Sequence, residues 1–104
     1  MIDKTELMND FLDWYDVLLT ERQKEICNLY YKEDYSLSEI SENYEISRSA
    51  VLDTLKRSEK LLQDYEKRLQ LVKKYHARCS IYGKMKKLSN ESINELVSNL
   101  EEID

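Results

Sequence analysis

A chain of 104 residues with no Pro and only one Gly, Gly83, lacks the usual breakers of regular backbone. Its elements must therefore be bounded by capping side chains and read from apolar period. Both point to helices. Thr5 is placed to cap a first helix in which Leu7, Met8, Phe11, Leu12, Tyr15 and Leu18 recur every three or four residues, ending near Leu19. Thr20 with Gln23, and Ser36 with Glu39, are capping boxes, in which cap and third residue satisfy each other's orphan N–H groups. The first opens a helix of about three turns carrying Ile26, Leu29 and Tyr30; the second opens a short helix with Leu37 and Ile40 inward, ending near Tyr44.

Ser47 caps a longer pattern from Arg48. Val51, Leu55, Ser58, Leu62, Tyr65, Leu69, Val72 and His76 recur at alternating four- and three-residue spacing, which predicts one long helix with a packed stripe. Gly83 marks an expected kink or break, and Ser89 or Asn90 is expected to cap a last amphipathic helix with Ile93, Leu96, Val97, Leu100 and Ile103. The expected fold is all-α, with five or six helices and no sheet. It reads as a single domain over residues 1–104, with a helix-turn-helix core at 20–62 and a helical extension at 63–104.

Composition removes several kinds of function. A single Gly rules out the Gly-rich phosphate loops, whose backbone must approach the ligand closely at several positions. No apolar run approaches the roughly 20 residues of a membrane span, and Met1 to Lys4 lack the basic and apolar regions of a signal peptide, so the expected location is the cytoplasm without membrane insertion. Cys27 and Cys79 fit neither a metal motif nor a disulfide framework and read as ordinary thiols of a reducing compartment. His76, the only histidine, has no second ligand at i+3 or i+4 and reads as a surface or seam residue. Neither cysteine has an evident base, and Glu101 with Glu102 reads as a solvated face. No enzyme activity, cofactor or metal is expected. Trp14 and the eight tyrosines raise the possibility of base stacking, but most of the rings fall at core spacing beside Leu and Ile.

The net charge of -5 conceals a division along the chain: the balance is -8 over residues 1–45, +8 over 46–88 and -5 over 89–104. A basic middle is either a footprint for phosphate or a partner for the acidic ends, and composition favours the second.

One segment points to a function. From Tyr35 to Leu62 a short helix, a turn and a second helix carry Ile40, Ile46, Val51 and Leu55 where a helix-turn-helix must interlock. With Val51 inward, Ser49, Asp53, Lys56 and Lys60 face outward, Leu52 and Arg57 lie at the margins, and Arg48 sits at the helix start, where orphan N–H groups favour phosphate. The expected nucleic-acid surface is therefore Arg48, Ser49, Asp53, Lys56, Arg57 and Lys60. Asp53 can accept from cytosine N4 but repels phosphate, so the face also suits a protein partner.

Residues 19–62, with LTERQKEICNLYY at Leu19 to Tyr31, resemble region 4 of sigma-70-type factors. Taken whole, the chain resembles the YlxM family of small bacterial helix-turn-helix proteins. The resemblance is carried by LTERQ, by DYSLSEIS (Asp34 to Ser41), by ISRSAVLDTLKR (Ile46 to Arg57) and by DYEKRL (Asp64 to Leu69). It implies an all-helical fold and a connection, by gene neighbourhood, with the signal recognition particle pathway; it implies no catalytic activity. The sequence departs from the wider helix-turn-helix pattern at Glu45, where Gly is common and positive φ is uncommon for any other residue, so that a reshaped or strained turn is expected, and at Ser41, where Ala is usual.

The expected function is that of a nucleic-acid-binding regulator, with duplex DNA as partner and RNA as a second possibility. The alternatives are a protein-interaction or RNA-binding accessory factor of the signal recognition particle, or a helical scaffolding dimer. Regulators of this type commonly pair, and Leu62, Tyr65 and Leu69 are the expected homodimer seam.

Overall fold

The computed structural model describes residues 4–88 and 90–104 and is all-α, with six α-helices and, among the described residues, no strand. They are α1 (Lys4–Tyr15), α2 (Glu21–Cys27), α3 (Leu37–Tyr44), α4 (Arg48–Leu69), α5 (Leu71–Leu88) and α6 (Glu91–Ile103). The chain divides into two compact units, Met1–Leu69 and Gln70–Asp104.

In the first unit, α4 is the spine against which α1, α2 and α3 pack. Met8, Phe11, Leu12 and Tyr15 of α1, Ile26 and Cys27 of α2, Ile40 of α3, and Val51, Leu55 and Leu62 of α4 are buried. Most of these belong to the apolar period, because a helix stabilises itself mainly by burying one stripe. The period is not followed throughout: Leu7 and Leu18 are exposed, Leu29, Tyr30 and Leu37 are only half-buried, and Cys27, outside the expected stripe, is buried. Both capping boxes form as the sequence predicts: Gln23 N–H donates to Thr20 Oγ1 at 3.2 Å and Glu39 N–H to Ser36 Oγ at 3.1 Å, each reciprocated by the third residue's side chain.

After α2 the backbone widens into a π-helical turn, Asn28–Lys32. The sequence gives no signal for it. Its consequence is that adjacent Tyr30 and Tyr31 meet edge to face, centroids 5.0 Å apart, with Tyr31 buried and Tyr30 only half-buried. The Tyr31 hydroxyl donates to Glu59, which Lys4 also holds at 3.1 Å, while the Tyr15 hydroxyl donates to Glu66 at 2.6 Å. These bonds join α1 and the π-turn to α4.

Burial, then the neighbouring Glu59 carboxylate, pushes the Tyr31 phenol well above its ordinary range; burial and Glu25 do the same to Tyr44. A phenol with a raised folded-state pKa contributes stability below the ordinary value of about 10 and loses it as pH rises beyond, because the unfolded chain ionises first. The urea midpoint is therefore expected to fall as pH rises above about 10, and less steeply in Tyr31→Phe. An identical alkaline slope in the two proteins would contradict this account of Tyr31.

The expected continuous helix from Arg48 past His76 is interrupted. Leu69 ends α4, Gln70 takes a left-handed φ of 56°, and its carbonyl accepts from Lys74 N–H at 2.9 Å in the first turn of α5. The signal that was present is Lys67 and Arg68 in the last turn of α4, where cations complement the negative pole of the helix dipole.

The second unit is a pair of helices, α5 packed on α6, with Val72, Tyr82 and Val97 buried. The expected break at Gly83 does not occur: α5 runs through it as one helix. One Gly costs a helix only about 1 kcal/mol, which the surrounding turns outweigh. Asn90 caps α6, its Oδ1 accepting from Ile93 N–H at 3.1 Å; Ser89, the other candidate, lies outside the described residues. Arg78 binds Asp104 at 3.0 Å and Lys86 binds Glu101 at 2.6 Å, so part of the basic segment is matched by the acidic tail, as composition suggested. His76 is exposed, its ring beside that of Tyr75. Among the described residues there is no cluster of three His, Cys, Asp or Glu that could hold a metal, and no helix is long and apolar enough to cross a membrane.

Candidate nucleic-acid interface

The helix-turn-helix comprises α3, the turn Glu45–Ser47 and α4. Glu45 ends α3 in the left-handed region, φ 54° and ψ 42°, its N–H donating to Glu42 O at 3.3 Å. Gly is common at this position of a helix-turn-helix, and Glu45 takes the left-handed backbone itself, so the turn is not reshaped to avoid positive φ. Ser41 explains part of how. Its backbone carbonyl accepts from Ile46 N–H at 3.1 Å while its hydroxyl donates to the Ile46 carbonyl, so the Ser that replaces the usual Ala clamps both polar groups of the turn. Ser47 then caps α4, its Oγ accepting from Ala50 N–H at 3.0 Å.

Two further contacts hold α3 in place. The Tyr44 hydroxyl donates to Glu25 at 2.8 Å, and the Arg22 guanidinium lies 5.0 Å from the centroid of the Tyr44 ring. Ile40, Val51 and Leu55 are buried at the crossing, and Ser58, also buried, returns its hydroxyl to Thr54 O at 2.7 Å. The thiol of Cys27 is pushed up chiefly by burial, against a hydrogen bond with Ser58 that lowers it, and so stays protonated and poorly nucleophilic.

With that face locked, all six expected residues are exposed: Ser49, Asp53, Lys56 and Lys60 on the other side of α4, Arg57 at its margin and Arg48 at the helix start. The helix rise of 1.5 Å per residue spreads them along about 18 Å. Asp53 is not an isolated carboxylate: it binds Arg57 at 3.0 Å one turn away, tying up one of the cations. Leu52 is partly exposed and borders a cleft of about 200 Å³ lined also by Tyr30, Lys56 and Glu59. On the α3 side Glu39, Glu42 and Glu45 are exposed, so the motif is basic along α4 and acidic along its first helix.

The three residues expected at a dimer seam separate. Leu62 is completely buried within the chain, Tyr65 is half-buried with its ring 6.0 Å from that of Tyr15, and Leu69 is exposed. The spacing placed them on one stripe, but depth depends on what α1 and α2 cover.

Residues 2–103 match the model of the UPF0122 family, the YlxM/p13-like helix-turn-helix proteins. The chain belongs to this family. It is 44% identical to the UPF0122 protein YlxM of Bacillus subtilis, over 99% of this chain and 98% of that one. A UPF0122 protein of Halalkalibacterium halodurans is 42% identical over 100% and 97%, and one of Shouchella clausii 38% identical over the full length of both. The UPF0122 match thus spans both units, and its description is that of a helix-turn-helix protein.

Proposed function

We propose that this chain is a cytoplasmic regulatory protein that binds duplex DNA by laying α4 in the major groove, two copies acting together. The observation that supports this reading is the exposed row Arg48, Ser49, Lys56, Arg57 and Lys60 on a helix whose opposite face is fixed by the helix-turn-helix core. The major groove, about 12 Å wide, admits one helix, and a pair of such helices reads faces about 34 Å apart. If the four cations each neutralise one phosphate, the logarithm of the binding constant falls with that of salt at a slope of about -3.6 per copy, a loss of about a hundredfold between 50 and 200 mM. Fluorescence anisotropy with random-sequence duplexes measures this, and a slope near zero rejects the reading.

A second reading is favoured by the acidic rim Glu39, Glu42 and Glu45, which would repel a phosphate backbone following α3. On that reading the same motif docks on a protein component of the signal recognition particle. Pull-down from native cytosol with and without nuclease separates the two: capture that survives both DNase and RNase belongs to a protein partner.

A further inference from the structure

We propose that the α5–α6 hairpin pairs with the hairpin of a second copy of this chain, each basic α5 lying along the partner's acidic α6 in an antiparallel four-helix bundle. This rests on the two-copy reading above and gives it a surface. It begins from an imbalance: a unit of two helices buries only Val72, Tyr82 and Val97 while large apolar side chains remain outside.

Those side chains are ordered around each helix. At about 100° per residue, Ile93, Leu100, Leu96 and Ile103 lie about 40°, 60°, 100° and 120° from the buried Val97, all in one sense of rotation. Their exposure rises in that order, 40%, 42%, 62% and 82%. On α5, Met85, Ile81 and Leu88 lie about 60°, 100° and 120° from the buried Tyr82 in the same sense, with exposures of 37%, 55% and 89%.

The bridges of Arg78 to Asp104 and Lys86 to Glu101 show that the two helices run antiparallel. In antiparallel helices the same sense of rotation leads to the same flank, so the two stripes form one apolar surface. The bridge between Lys86 and Glu101 lies about 40° away in the opposite sense on both helices, on the other flank. The Arg78–Asp104 bridge lies on the same side as the stripe but close to the buried line, about 40° and 20° from it, and Lys74 lies about 80° round, so the apolar surface on α5 is its C-terminal half, Ile81 to Leu88. The exposed stripe amounts to roughly 700 Å², more than the few hundred Å² usual on a monomer and close to the ~800 Å² that each partner gives to a standard interface.

Charge selects the occupant. α5 carries six Lys and Arg and no acid; α6 with Asp104 carries five acids and no Lys or Arg. A two-fold axis parallel to the helices places each α5 on the partner's α6, alternating basic and acidic helices around the bundle. The other face-to-face pairing sets two helices of like charge together, which is repulsive. A second copy is thus complementary in both apolar area and charge, as an isologous interface requires.

Sedimentation equilibrium of the full chain at micromolar concentration is expected to give the mass of two chains. Leu96→Glu and Ile81→Glu, substitutions at exposed positions, are expected to halve it with helical circular dichroism unchanged, while Leu69→Glu on α4 leaves it at two. The mass of one chain for the unaltered protein, or dissociation by Leu69→Glu alone, overturns the proposal. Zero-length carbodiimide cross-linking of mixed heavy- and light-isotope copies tests the arrangement without mutation. Cross-links between α5 lysines of one copy and α6 carboxylates of the other are expected, and inter-copy cross-links confined to α1–α4 overturn it. Failure of the DNA reading is separately visible: a two-chain protein that ignores DNA leaves the bundle standing, and a one-chain protein that binds DNA removes the bundle alone.

Discussion

Lys56→Ala combined with Arg57→Ala is expected to weaken binding to duplex DNA by about 10- to 100-fold near physiological salt and to reduce the magnitude of the salt slope by about 2 per copy. Both side chains are exposed on the outward face of α4. The loss from Arg57 includes a second component: its partner at 3.0 Å, Asp53, is left as an unmatched carboxylate on the surface that meets phosphate. Folding stability is expected to change by less than about 1 kcal/mol, because an exposed pair one helical turn apart contributes only a few tenths. Anisotropy titration at three salt concentrations, with urea unfolding as the control, provides both readouts. Unchanged DNA affinity in the double variant would mean that α4 is not the surface that meets the duplex.

Leu55→Ala acts on the opposite face of the same helix and is expected to have the opposite profile. Leu55 is 2% exposed, in the core that also buries Val51 and Ile40 at the helix-turn-helix crossing. Truncation removes apolar contacts and leaves a cavity that the crossing helices fill only partly, a cost of about 2 to 5 kcal/mol. For a chain of this size that corresponds to a fall in Tm of about 10 to 30 °C. Leu52→Ala, three residues earlier but partly exposed, is expected to cost far less. Equal losses from the two variants, measured by urea denaturation, would show that the inward direction of α4 is misassigned. Both predictions depend on one fact: α4 is amphipathic because one side is covered by α1, α2 and α3.

Much of the fold was legible because its decisive interactions are local. Thr20 with Gln23 and Ser36 with Glu39 satisfy orphan N–H groups within a single helical turn, so residue spacing alone locates the starts of α2 and α3. Asn90 does the same for α6. The outward face of α4 was legible from the period of its apolar residues, whereas at Glu45 the sequence showed only a departure from the usual Gly, and the left-handed backbone it nevertheless adopts was found in the structure. A match to the YlxM/p13-like family over residues 2–103 accords with the motifs that suggested it.

What depended on distant contacts was not legible. The π-turn at Asn28–Lys32 places Tyr31 against Glu59, 28 residues away, a pairing that no local spacing encodes. Leu62 and Leu69 are equivalent in an apolar period, yet one is fully buried and the other exposed, because burial is set by which neighbouring helices reach that level of α4. Gln70 has no intrinsic preference for a left-handed backbone, and Gly83 has a mild preference against helix, but the first takes that conformation between two helices and the second lies within an unbroken one. Propensities of about 1 kcal/mol or less are easily outweighed when whole helices gain or lose packed surface. The sequence by itself determined the helices, their caps and the polar face of α4, all of which rest on interactions within a few residues. Only the tertiary structure decided where the long helix ends, which aromatic rings are buried and which apolar stripe stays exposed, because those outcomes depend on surfaces contributed by residues far apart in the chain.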